Sequence, residues 1–149
     1  MKTQAEYIGE IFLHVASLNT DKEKIEYLQN TKSKALAHIL KYAYDDRFIT
    51  RYMEIPKYTS DDSPIGYSVS GLHKEYVRIP YFLNTDQYIK NDKVRNNKLR
   101  NILEMIHWTE TPILEAVILK NTLPHISRDL AKTAFPELFT GDDNGQKLL

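Results

Sequence analysis

Three prolines, Pro112, Pro124 and Pro136, constrain this chain more tightly than any other feature. Each sits where a helix can start or must stop. Thr111 can cap a helix with Pro112 at its first position, where the missing N–H costs nothing. Ile113, Leu114, Val117 and Ile118 then make an apolar stripe at helical spacing. Asn121-Thr122 and Pro124 end that helix, because proline disfavours the helical region for the residue before it. Ser127 can cap a second helix, Arg128 to Phe135, with Leu130, Ala131, Ala134 and Phe135 inward. Pro136 stops it, and Leu138 and Phe139 follow as an apolar hook. The unit reads as helix, tight elbow, short helix and hook.

Upstream, the same logic yields more short helices. Ile8, Ile11, Phe12, Val15 and Ala16 recur at three and four, so Thr3 to Leu18 is expected to be helical. Gly9 costs that helix about 1 kcal/mol relative to alanine. Thr20 and Glu23 form a capping box that opens a helix through Leu28 or Gln29. Thr31 or Ser33 starts the next, with Leu36, Ile39, Leu40, Ala43 and Tyr44 on a broad buried face. Asp45-Asp46 is a break, and Arg47 to Met53 reads as another short helical piece. Residues 54–70 gather proline, serine, threonine, aspartate and glycine and read as a long loop, in preference to a strand at Tyr67 and Val69. Gly71 to Ile79 is a helix ended by Pro80. Asn84 to Asp92 is a polar connection anchored by Tyr88-Ile89. Lys93 to Trp108 is a clear helix with Leu99, Ile102, Leu103 and Ile106 inward. The expected fold class is all-α: a single compact bundle of about seven short helices with a long central loop, over residues 1–139, and a flexible C-terminal tail, 140–149.

The 149 residues suffice for one domain with a true core. With no cysteine, neither a disulfide framework nor a thiolate zinc site can form, and an intracellular setting fits. His14, His38, His73, His107 and His125 lack the three- or four-residue spacing that puts two ligands on one helix face, so no metal is expected. There is no glycine-rich phosphate loop and no nucleophile elbow, and no cofactor is expected. Asp45-Asp46 and Asp61-Asp62 read as breaks and turns, not as paired catalytic acids. No run has the length of a membrane span, and the N-terminus lacks a signal-peptide pattern. Formal net charge is zero, which argues against a protein that coats nucleic acid through its whole surface field. Any nucleic-acid contact has to come from a local patch.

Two blocks resemble a known domain. The pattern from Ile113 through Ser127, then Leu130-Ala131 and Phe135-Pro136-x-Leu138-Phe139, is similar to the end of the helical N-terminal DNA-binding domain of T-even phage ATP-dependent DNA ligases. Leu28-Gln29-Asn30 through Leu36, Leu40 and Tyr44 to Pro56-Lys57 resembles the early helices of that domain, and of small stand-alone phage proteins. The likeness covers roughly residues 8–58 and 93–139. The Lys-x-Asp-Gly nucleotidyl-acceptor motif of ligases is absent, so the resemblance implies DNA binding without self-adenylation or nick sealing. In the resembling domain, short helices present N-terminal amides and basic side chains to duplex phosphates. Carried over, that role falls to Lys32, Lys34, Lys41, Arg47, Arg51 and Lys57 in the first block, and to Lys120, Arg128 and Lys132 around the elbow. Pro124-His125 stands where ligases have a flexible glycine-type turn, which removes the expectation of a backbone contact there. The implied function is a non-enzymatic phage protein that contacts the duplex DNA backbone without sequence specificity. It would serve replication, repair or recombination in the cytoplasm of an infected bacterial host.

The residues themselves leave alternatives open. The same cations can be ordinary solvated charges on amphipathic helices, although Lys34 and Lys41 lie two turns apart on one face. Lys93, Arg95, Lys98 and Arg100 point to several sides of their helix and read as solvated. Tyr42, Tyr44 and Tyr52 fit a partly buried core, whereas Tyr58 and Tyr67 in the loop are candidate contact residues. The tail Gln146-Lys147-Leu148-Leu149 looks like the short apolar peptides with which phage factors dock on a sliding clamp. Gln146, Leu148 and Leu149 are therefore candidate protein-binding residues, the two leucines offering roughly 3–5 kcal/mol of transfer free energy before ordering costs. The alternative function is a protein-binding adaptor that docks on a sliding clamp, polymerase or host RNA polymerase.

Overall fold

The computed structural model describes residues 7–64 and 67–139, and most of its helices begin where a side chain can take an orphan N–H. Helix α1 is Ile8–Ser17, α2 Asp21–Asn30 and α3 Lys34–Tyr44. Helix α4, Leu72–Glu75, runs directly into a 3-10 helix, Tyr76–Phe82. Helices α5 (Asp92–Met105), α6 (Thr111–Leu119) and α7 (Arg128–Ala134) follow, and a 3-10 turn, Pro136–Phe139, ends the described chain. The expected start of α1 at Thr3 and the tail 140–149 fall outside the described residues.

The capping box is closed from both sides: Glu23 N donates to Thr20 Oγ1 at 3.1 Å, and Thr20 N donates to Glu23 Oε1 at 3.2 Å. Ser33, Asn91 and Ser127 cap α3, α5 and α7 by accepting the amides of Leu36, Val94 and Leu130. The architecture is all-α. Among the described residues there is no strand, only two isolated bridges, Thr50 with Leu83 and Asp61 with His107. No described helix is long and apolar enough to cross a membrane.

Helix α3 is the centre of the bundle. Leu36, Ile39, Leu40, Tyr42, Ala43 and Tyr44 are all buried, and α4, α6 and both 3-10 segments pack on it. Helix α2 packs mainly on α7, and α1 closes the core with Ile8, Ile11, Phe12 and Val15. These side chains form one continuous apolar cluster, each large member contributing roughly 1.5–3 kcal/mol of transfer free energy.

Several local expectations are corrected. Arg47 to Met53 is not helical. Asp45 Oδ1 takes the Arg47 amide, Asn84 Oδ1 takes the Ile49 amide at 2.7 Å, and Thr50 Oγ1 takes the Tyr52 amide. The donors a helix would have used internally are thus satisfied by side chains. Pro80 does not end the fourth helix at Ile79; the chain tightens to 3-10 geometry and carries Pro80 inside it to Phe82. Helix α5 stops at Met105, short of Trp108, because its end is taken up by the loop: Ser70 N donates to Met105 O, and Trp108 N to Asp61 O. Thr111 is the first residue of α6, one place later than a cap, and its hydroxyl donates to Trp108 O at 3.1 Å. Lys120, in the left-handed region at φ 57°, closes α6 with Asn121 N donating to Ala116 O.

The residue before α6 holds three elements together. Glu110 is 2 % exposed. Its Oε2 accepts Gly9 N of α1 at 3.0 Å, and its Oε1 accepts Leu72 N, the first amide of α4, at 2.8 Å. One carboxylate thus faces the positive ends of two helices. The approach needs glycine at position 9, where a Cβ would lie 2.6 Å from Thr109 Oγ1. The central loop is laid along α5 and α6: Tyr58 OH donates to Glu115 Oε2, Thr59 N to Glu104 Oε2, and Arg100 Nε to Lys57 O.

Candidate nucleic-acid interface

The last turn of α3 leaves carbonyl groups without helical partners, and the negative end of the helix dipole points there. Cations from distant segments supply the missing donors. Lys120 Nζ donates to Tyr42 O at 2.7 Å and to Asp45 O at 3.0 Å. Arg128 donates to Tyr44 O at 2.8 Å and lies over the Tyr44 ring. The same corner carries two carboxylates. Asp45 receives Lys41 Nζ at 2.7 Å together with the amide, Nε and Nη2 of Arg47, and Asp46 receives Arg128 at 3.1 Å.

These neighbours set the local electrostatics. Burial on its own pushes the Asp45 carboxyl up, but hydrogen bonds from Arg47 and Lys41 outweigh it and hold the group well below the usual carboxylate range. Burial draws Lys120 down to about 8, with Asp46 and Asp45 limiting the fall. Lys41 is only 3 % exposed and also donates to Leu138 O. It therefore shares no exposed face with Lys34, which points to solvent at the other end of α3. That expectation fails because Pro136–Phe139 lies across only the C-terminal end of the helix.

Five of the nine nominated cations meet at this corner: Lys41, Arg47, Lys120, Arg128 and Lys132. Lys41 and Lys120 spend their charge on the fold. The Arg47 and Arg128 side chains keep 38 % and 45 % of their surface exposed, and Lys132 is exposed beside the Phe139 ring. Arg47, Lys132, Tyr44, Asp46 and Phe139 line a shallow concavity there. The other four lie elsewhere. Lys32 pairs with Glu137 at 2.8 Å, Arg51 sits over Tyr88, and Lys34 and Lys57 are exposed.

Two further expectations change. Arg95 is not solvated: it is buried, lies near the Tyr52 and Tyr88 rings and donates to Ile89 O and Asp92. Tyr58 commits its hydroxyl to Glu115, whereas Tyr67 stays exposed. Asp45, read from the sequence as a chain break, organises the corner; its four-residue spacing from Lys41 is the signal that could have revealed the pair. Gln146, Leu148 and Leu149 lie outside the described residues.

No curated protein and no solved structure matches the chain. A family model does match, over residues 11–123, a span that includes Lys41, Arg47 and Lys120 and ends before Arg128 and Lys132. That span is well over half of the molecule and runs from α1 through the close of α6, so the chain belongs to this family of unknown function, DUF6433.

Proposed function

We propose that this chain is a non-enzymatic module that holds duplex DNA by its backbone, without sequence preference, at the corner where α3 ends. One observation carries the reading. Segments 82 residues apart bring five cations together around two carboxylates, a local positive excess in a molecule of zero net charge. Arg47, Arg128 and Lys132 present that excess outward. Phosphate contact needs charge and reach, not base recognition. The resemblance to the DNA-binding domain of phage ligases supports the same reading and suggests a role in phage replication, repair or recombination.

Affinity for a short duplex, measured against salt, tests it. Three phosphate contacts give a log–log slope of about −2.7, so affinity falls roughly 40-fold between 50 and 200 mM salt. Absence of duplex binding at 50 mM, or binding indifferent to salt, rules the reading out.

A protein-binding adaptor is the second reading, and it has its own observation. Phe12, Leu13, Trp108, Pro112, Ile113 and Pro124 line an apolar groove on the α1 side. Leu13 and Trp108 are 48 % and 52 % exposed there, a use of surface that phosphate binding does not require. Saturable binding of purified sliding clamp or polymerase, lost in Trp108→Ala, would favour this reading; no binding of either would dismiss it.

A further inference from the structure

Between α1, the segment 68–74 and the turn before α6 lies a cleft of about 210 Å³, lined by Tyr7, Glu10, Ser68, His73, Lys74 and His107 among others. Among the described residues, four buried side-chain polar atoms have no hydrogen-bond partner, and three of them belong to this cleft: His107 Nε2, His73 Nδ1 and Ser68 Oγ. Such atoms are rare in folded proteins, because each has given up water for nothing in return. Three around one cleft describe a site built to be filled.

Their chemistry narrows the ligand. Thr109 N donates to His107 Nδ1 at 3.2 Å, so in the neutral ring that nitrogen is the acceptor and the proton sits on Nε2. His107 is 7 % exposed and holds this N–H toward the cleft without an acceptor. The His73 ring lies close beside Gly71, where a Cβ would come within 2.7 Å of Nδ1. Lys74 and Glu10 offset one another, and both oxygens of Glu110 are held by the Gly9 and Leu72 amides. Asp61 lies behind His107, paired backbone to backbone, and its carboxylate meets the Ser63 and Ser68 hydroxyls and faces His107. His107 Nε2 and His73 Nδ1 are therefore the ring atoms left for a ligand.

We propose that this cleft binds a small oxyanion, a carboxylate or phosphate group, between His107 Nε2 and His73 Nδ1. The ligand supplies the oxygen acceptors that the two rings lack, and Lys74 completes the donor set. The site lies apart from the DNA-binding corner, and neither proposal depends on the other.

Titration of the five imidazole Cε1–H resonances with sodium acetate and, separately, sodium phosphate at constant ionic strength tests it. The His73 and His107 signals are expected to shift saturably while those of His14, His38 and His125 stay in place. A response to one anion alone identifies the group the site takes. His107→Phe should abolish saturation and His107→Gln, which keeps a donor, should retain part of it. Should His107→Phe fail to fold, His73→Phe at its half-buried position serves the same purpose. Signals unmoved by both anions, or phenylalanine variants that titrate like the parent, overturn the proposal.

Discussion

The Lys41 side chain is 4 % exposed, with Asp45 at 2.7 Å as its counter-charge. Asp45→Asn would leave that cation buried without a full partner, and removing one member of a buried pair costs about 3–5 kcal/mol. Chemical denaturation at neutral pH measures the loss. The acid side follows from the same pair. Asp45 is depressed below its ordinary value of 3.8, so its contribution is fully present above 3.8 and disappears as the pH falls from there toward the folded value. The variant should show a flatter acid limb. Lys120 works in the opposite direction. Its folded value of about 8 lies below the ordinary 10.5, so above pH 8 the unfolded chain holds the proton longer and stability rises with pH. Denaturation at pH 7.5, 9 and 10 should show that rise in the parent and not in Lys120→Met. Above pH 10 Tyr42, pushed up by burial, pulls the other way. None of these burial states could be read from local sequence. Lys34 and Lys41 share a helical face in projection, and what separates them is a turn nearly a hundred residues away.

Among the elements, those whose boundaries rest on nearby side chains were legible and those resting on remote ones were not. Thr20, Ser33 and Ser127 cap the helices their spacing marks, because a cap reaches only three residues. Arg47 to Met53 has a helical pattern and is not helical, because Asn84 takes up its backbone from 35 residues away. Glu110 is the clearest omission. Before an apolar helix it reads as an exposed acid, yet it joins α1, α4 and α6 because two helix N-termini converge on it. Glu110→Gln keeps the shape but places an NH2 against one of the two amides. Losing an acceptor for a buried N–H costs about 1–3 kcal/mol, and more where the acceptor was charged. The expected effect is a lower denaturation midpoint with an unchanged denaturant slope. Stability equal to that of the parent would show that the carboxylate does not tie these helices together.

For the whole molecule, zero net charge offers no long-range attraction to DNA, so any affinity has to be built at short range. Position then matters more than charge number, and this separates a local corner from a diffuse field. Lys132 and Lys57 are both exposed and carry the same charge, but only Lys132 stands at the α3 corner. Lys132→Glu and Lys57→Glu change the net charge equally. A diffuse field would weaken duplex binding alike in both. A corner that holds phosphate loses affinity in Lys132→Glu, and its salt slope drops by about 1, while Lys57→Glu binds as the parent does. Neither side chain is buried or in a salt bridge with another described residue, so thermal denaturation should be nearly unchanged in both, and a loss of binding cannot be mistaken for a loss of fold. Equal weakening in the two variants would remove the α3 corner as the site of contact.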